Sequence, residues 1–302
     1  MIGTARARRK YMDPCSLVHD WMSRSLFTVD PQSGLDCADR AMRLAHARHV
    51  PVVSDGVPVG ILSIRDLFVA KLSTRSLGAS APGGHPGRVR VDQVMRPVFA
   101  IDPEESIVAA AESMRHNERS CLVVLRDQKL VGLLTTADIL RFTISALEEE
   151  SRALGEPTRA GRFMTPSPVT AVSPDEHLDL AKILMRFGHF HHLPVVADDH
   201  VIGIVSDRDL LEALNGTDGV GSDTQAEQML KIAHLTVRQI MTPHPITVTP
   251  ETEAPIAAAL LLDKQIGALP VVRAGKLVGM LTERDFLSFV IASAPIKAEI
   301  RV

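Results

Sequence analysis

A chain of 302 residues has room for about two domains with cores of ordinary size. With 45% hydrophobic and 23% charged residues it reads as a soluble globular protein, and a formal charge of -3 with 4% aromatic residues supplies neither the basic field nor the stacking platforms that nucleic acid requires. Three scattered cysteines, Cys15, Cys37 and Cys121, make no disulfide framework or C-x-x-C knuckle, which fits a reducing cytoplasm.

In chain order, residues 1–16 carry Arg6, Arg8, Arg9 and Lys10 and read as a flexible basic arm, with no apolar run of signal-peptide length behind it. The longest apolar stretch, which begins at Ala254, is far short of the roughly 20 residues that span a bilayer, so a cytoplasmic protein without a membrane partner is expected.

From residue 17 one pattern recurs four times. Each unit opens with a short amphipathic stretch ending in Met22, Met95, Met164 or Met241. A β-prone run closed by a polar residue and Pro follows ("FTVDP", "FAIDP", "TAVSP", "ITVTP"), which predicts a strand end and a helix started by that Pro. Apolar residues at helical spacing come next, such as Ala41, Leu44 and Ala45 in unit one or Leu180, Ile183 and Leu184 in unit three, and predict one buried helix face. Two apolar runs joined by "DG", "DQ", "DDH" or "AG" predict a hairpin.

The second run ends in "GILSIRDL", "GLLTTADI", "GIVSDRDL" or "GMLTERDF", and a closing helix is predicted to open at the Asp. The Gly lies 38, 37, 39 and 38 residues after the Met, and six residues further stand Asp66, Asp138, Asp209 and Asp285. The order is β-α-β-β-α, an α/β (α+β) class. One unit of about 55 residues buries too little surface alone, so the units should pair. The Gly/Pro/Ser-rich stretches "LGASAPGGHPGR" and "NGTDGVGSDTQ", the latter followed by a short helical "AEQMLKIA", predict exposed linkers. Near residues 146–161 a helix extension should stop at Gly155 and Pro157, which marks a domain boundary.

These units, by their "LPVV" run and Gly-x-x-Ser/Thr-x-x-Asp turn, resemble CBS motifs, the regulatory repeats named after cystathionine β-synthase. The resemblance implies two Bateman modules. After the arm over 1–16, module one covers 17–150 (motifs 17–72 and 89–147, linker 73–88) and module two 151–302 (motifs 159–215 and 234–294, linker 216–233). It also implies AMP, ADP, ATP or S-adenosylmethionine as a regulatory ligand in clefts between paired motifs, with no obligatory cofactor. A homodimer through the modules, forming a flat disc, is likewise implied.

Carried over by position, the ribose-binding Asp falls on Asp66, Asp138, Asp209 and Asp285, and the Ser/Thr on Ser63, Thr135, Ser206 and Thr282. Strand entries beside adenine fall on Phe27-Thr28, Phe99-Ala100, Thr170-Ala171 and Ile246-Thr247. Units three and four conform best. Unit two has "SCLVV" in place of the Leu-Pro pair, Ala137 where the others have Arg65, Arg208 and Arg284, and no hydroxyl at its strand entry. Unit one has Arg24-Ser25 where the others place Pro soon after the Met.

The turn admits two readings. Ser or Thr ahead of a helix is a preferred N-cap, and an acidic residue in the first turn suits the positive end of the helix dipole. The reciprocal capping box, however, favours Glu or Gln. A short Asp could instead accept both hydrogen bonds of a ribose diol, with the Gly clearing space for a flat base. Arg208 and Arg284 are candidate phosphate partners. His189, His191, His192 and His200 cluster in "GHFHHLPVVADDH", and His189 and His191, with Asp198 or Asp199 near, are weak metal candidates. His192 sits where His49 sits in unit one, which favours a place in the nucleotide pocket. The four Met residues read as core or interface filler.

No G-x-S-x-G, Walker loop or H-E-x-x-H motif is present, so no enzyme is expected. Three functions stay open: a nucleotide-sensing regulator acting on an unknown protein partner, a dimerisation or docking module with vestigial sites, and a metal-responsive protein built on the His cluster.

Overall fold

The computed structural model describes residues 16–45, 47–67, 69–70, 89–188, 190–215 and 234–292. The arm over 1–15, the linkers over 73–88 and 216–233, the short helical segment expected in the second linker, and His189 lie outside the described residues.

Within each unit the observed order is the expected one. Unit one contains α1 (Leu35–Leu44), β1 (His49–Ser54), β2 (Val57–Ser63) and α2, whose described residues are 64–67 and 69–70. Unit two contains α3 (Ile107–His116), β3 (Cys121–Arg126), β4 (Lys129–Thr135) and α4 (Thr136–Leu154). Unit three has α5 (Leu178–Gly188), β5 (His192–Ala197), β6 (His200–Ser206) and α6 (Asp207–Asn215). Unit four has α7 (Ala254–Asp263), β7 (Ala268–Arg273), β8 (Lys276–Thr282) and α8 (Glu283–Ala292). The opening strand is brief. It is Ala100–Ile101 in unit two, and single parallel bridges from Val29, Val172 and Val248 to Val52, Val195 and Val271 elsewhere.

The hairpins owe their tightness to two-residue turns, Asp55-Gly56, Asp127-Gln128, Asp198-Asp199 and Ala274-Gly275, all with positive φ at both positions. That geometry matches the right-handed twist of paired strands, and Asp and Gln tolerate it where Gly is missing.

Two local expectations are corrected. Pro31, Pro103, Pro174 and Pro250 do not start helices. They lie in turns, whose φ the proline ring also satisfies, and the helices begin four residues later at Leu35, Ile107, Leu178 and Ala254. The closing helices open directly after the Ser or Thr rather than at the Asp, so each Asp is the third helical residue. The hydroxyl residue is the cap, and a cap precedes the first helical residue. In unit two α4 runs on to Leu154 and is ended by Gly155 at φ 71°. Near that end, buried Glu150 accepts from Thr158 and Arg162 and ties the helix to the first turn of unit three.

Units pair by exchanging their Met-led segments. Ser23 of unit one bridges to Leu133 on β4, and Arg96 of unit two bridges to Ile61 on β2. Thr165–Pro166 pairs with β8 and Thr242–Pro243 with β6. The recurring Gly faces the Met of the paired unit: Gly132 faces Met22, Gly60 faces Met95, Gly279 faces Met164, and Gly203 faces Met241. A Cβ on any of them would come closer than 3.0 Å to that sulfur. The expectation that these glycines clear space for a base is therefore corrected, because what they admit is a methionine.

Units two and four share the largest core. α7 and α8 pack on α3 and α4, joining Leu261, Phe286 and Val290 to Ile139, Leu140 and Leu147. Phe163 stacks on Phe286 at 5.5 Å between centroids and meets Phe289 edge-on at 4.9 Å. Units one and three keep separate cores around Leu62 and Leu193. Among the described residues no helix is long and apolar enough to cross a membrane.

Candidate functional site

The conserved geometry of the four turns starts from the cap. In each, one carboxylate oxygen of the Asp, Oδ2, accepts both the backbone N–H and the hydroxyl of the capping residue. The two distances are 2.8 and 2.7 Å from Thr135 to Asp138, 2.6 and 2.7 Å from Ser206 to Asp209, and 2.7 Å for both from Thr282 to Asp285. Ser63 and Asp66 do the same at 3.0 and 2.5 Å. The Asp66, Asp138 and Asp209 N–H groups donate back to the hydroxyl. Asp therefore completes the reciprocal capping box reserved above for Glu or Gln, because the tight extended-to-helix turn brings its shorter side chain within reach.

What distinguishes the four turns is Oδ1. Asp66, 6% exposed, gives it to Arg96 Nε at 2.6 Å. Asp138, 3% exposed, gives it to Arg141 Nη1 at 2.5 Å. Asp285 holds only a long bond of 3.4 Å from Thr165, and burial pushes its carboxyl above the ordinary range despite the bonds from Thr282 and Thr165. No described residue bonds Oδ1 of Asp209. Arg96 and Thr165 directly follow Met95 and Met164, so each of these Asp residues faces the residue after the paired unit's Met. Thr242, opposite Ile204 as Thr165 is opposite Met280, holds that place beside unit three.

The expected site residues are thus combined across units rather than within them. A cavity of about 340 Å³ between units one and two brings Thr135 and Asp138 of unit two to Phe27, His49 and Pro51 of unit one. Phe27 lines it, whereas its neighbour Thr28 does not. Thr247 is exposed at its strand entry and Thr170 half-buried, while Arg208 and Arg284 are exposed in the first turns of α6 and α8. Unit two, which departs most from the pattern, nonetheless contributes the Asp to this cavity.

His49 Nε2 lies 3.0 Å from Ser120 Oγ. Burial above all, with Arg48 adjacent, depresses the His49 pKa to about 4, so the ring is neutral at pH 7. His192 is likewise held near 4 by burial and covers Gly267, the counterpart of Ser120 in unit four.

The second module also reaches the cavity. Glu283 Oε2 accepts from Thr136 Oγ1 at 3.0 Å, and its Oε1 lies 3.4 Å from Arg48 Nη2. In the opposite direction Arg65 reaches Asp207 of unit three at 2.9 Å, and His191 Nδ1 lies 3.0 Å from the same carboxylate oxygen. Burial resists ionisation of Asp207, but the His191 bond and the Arg65 charge outweigh it and hold its pKa below the usual range.

Of the metal candidates, His189 lies outside the described residues and His191 faces Asp207, while His192 is half-buried against Gly267 of unit four and His200 Nδ1 faces its own turn at Asp198 O, 2.7 Å away. Among the described residues no three His, Cys, Asp or Glu side chains gather to hold a metal ion. Sequence reasoning missed Arg48, Thr136, Arg141 and Glu283. Arg141, three residues after Asp138 on one helix, was open to discovery by spacing. Glu283 was not, since only the packing of one module on the other brings it here.

The CBS domain model matches residues 18–73, 91–145, 160–216 and 237–292. An uncharacterized protein of Methanocaldococcus jannaschii, MJ1225, is 26% identical over 281 residues, which take in 88% of this chain and 96% of that protein. Its crystal structure aligns at a TM-score of 0.69 and 23% identity, covering 90% of this chain and 99% of that one. An uncharacterized conserved protein of Pyrococcus horikoshii aligns at 0.59 and 21% identity, covering 91% and 99%. An inosine-5′-monophosphate dehydrogenase of Korarchaeum cryptofilum is 33% identical over 141 residues, but these are 46% of this chain and only 26% of that enzyme. With the family match extending over most of its length, the chain belongs to the CBS domain family and carries four CBS domains in one polypeptide.

Proposed function

We propose that this protein is a non-catalytic regulator that binds an adenosine-containing ligand, AMP, ADP, ATP or S-adenosylmethionine, between paired CBS domains and signals occupancy to a protein partner through movement of its modules. The observation that carries this reading is the division of labour within the Asp: Oδ2 serves the cap and Oδ1 is left for a second task. A ribose diol can donate to that oxygen, with Arg141 at Asp138 giving way because it is exposed and long. The 340 Å³ cavity falls in the range of small-ligand sites and offers Phe27 and Pro51 as apolar walls. Its arginines are each matched to a carboxylate and its histidine is neutral, which suits holding a molecule rather than making or breaking bonds in it.

By this measure Asp209 and Asp285 are the most available turns. For Asp66 a structural role is favoured, because Arg96 already satisfies its second oxygen. A homodimer through the modules remains part of this reading, and the packing of α7 and α8 on α3 and α4 supplies one module contact within the chain itself.

Calorimetric titration of the full chain and of Asp209→Asn with each of the four ligands tests the reading. A ligand at 100 times its Kd should add about 2.7 kcal/mol of stability. Asp209→Asn should lower the binding stoichiometry by one while moving the ligand-free Tm by no more than about 3 °C, the shift that about 1 kcal/mol of lost capping gives. Unchanged stoichiometry with a clearly lower Tm would make this turn a cap and nothing more.

A further inference from the structure

Glu283 is the first residue of α8, yet its carboxylate serves the other module. It lies at the start of the 19-residue α4, where it accepts from Thr136 and faces Arg48, and its side chain is 17% exposed. The N–H groups of Thr135, Thr136 and Asp138 there already have acceptors in Asp138, Ser120 and Thr135, but the positive end of the dipole still favours an anion at this place. In this cavity the protein fills that place with its own anion.

Among the described residues the other charges of the cavity have partners. Arg48 is matched to Glu283, Arg141 to Asp138, and burial keeps His49 uncharged. The cation a phosphate could reach among the described residues is Arg141, once a ribose takes its place on Asp138. A phosphate at the start of α4 would still meet Glu283 at close range in a half-buried site, where like charges repel strongly. It could take the helix start only by pulling Glu283 off Thr136 and Arg48, and so by breaking a contact between the modules.

We infer that Glu283 is a specificity-determining residue of the Asp138 cleft: it rejects nucleoside phosphates and selects a nucleoside whose 5′ substituent is neutral or positively charged, such as adenosine or a sulfonium nucleoside. This rests on the nucleoside reading of the cleft and narrows it to one charge class.

The test is calorimetric titration of the full chain with adenosine, S-adenosylmethionine and AMP. Ser25→Trp identifies the share of binding that belongs to this cleft, since Ser25 is exposed and lines it. In the unaltered protein the Ser25-dependent affinity for adenosine and S-adenosylmethionine should exceed that for AMP by about tenfold or more. Glu283→Gln, which keeps an acceptor for Thr136, should raise AMP affinity by about tenfold and leave adenosine within roughly twofold. Ser25-dependent binding of AMP as tight as that of adenosine would overturn the role of Glu283 and leave the nucleoside cleft standing. Absence of Ser25-dependent binding by all three would overturn the cleft itself, and this inference with it.

Discussion

Between units two and four, α7 and α8 bury Leu261, Phe286 and Val290 in one core with Leu140 and Leu147. Between units one and three, the contact is the Arg65, Asp207 and His191 cluster, and Leu44, Ile183 and Phe187 on α1 and α5 remain 67%, 51% and 77% exposed. The same repeat makes both sides. The difference lies in the first helix of each unit: α7, "APIAAALLLD", is apolar on nearly all faces and can be covered on both, whereas α1, "LDCADRAMRL", carries Asp36, Asp39, Arg40 and Arg43 and keeps one face in water. The first helix thus differs between units one and four while the hairpin and the turn stay the same.

The largest way to break that contrast is Phe286→Ala. It removes a fully buried ring from the shared core and should cost about 3–5 kcal/mol in urea denaturation, with fluorescence and circular dichroism reporting one joint transition. Leu210→Ala in the smaller core of unit three should cost about 2 kcal/mol, and equal losses at the two sites would contradict the distinction.

Acid should act on the other side of the molecule. His49 and His192 belong to units one and three, and burial holds both near pKa 4 against an ordinary 6.5. Below pH 6.5 the unfolded chain binds protons that the folded one refuses, so stability complete above 6.5 is lost as the pH falls and levels off below about 4. A Tm series from pH 7.5 to 4 should show this decline, and the paired change His49→Gln and His192→Gln should flatten it.

The smallest effect is expected at Arg65→Gln. Its partner Asp207 is partly exposed, so the pair should contribute about 0.5 kcal/mol in a double-mutant cycle with Asp207→Asn, and less in high salt. A value as large as that of the core variant would mean that charge, not packing, joins the modules.

Much of the fold was legible because it is local and repeated. The two-residue turns, the hairpins and the cap at Ser63, Thr135, Ser206 and Thr282 each follow from a few adjacent residues. The helix starts after Pro31 and its counterparts were misplaced because proline suits a turn as well as a first helical position. The candidate site was legible only in part. Asp138 and Thr135 announce themselves by repetition, but their partners Phe27 and His49 arrive from the paired unit, and Glu283 stands 147 residues from Thr136. No periodicity spans that distance. Asp itself was misjudged because side-chain length was weighed without the backbone turn that shortens the reach.

The methionine that each unit lays over its partner's glycine makes the pair, not the single motif, the unit of inheritance. A lone copy would have a bare groove along its second hairpin strand and a thioether with nothing to cover. Removal of one copy would strip the cover from one glycine and the seat from one methionine at once.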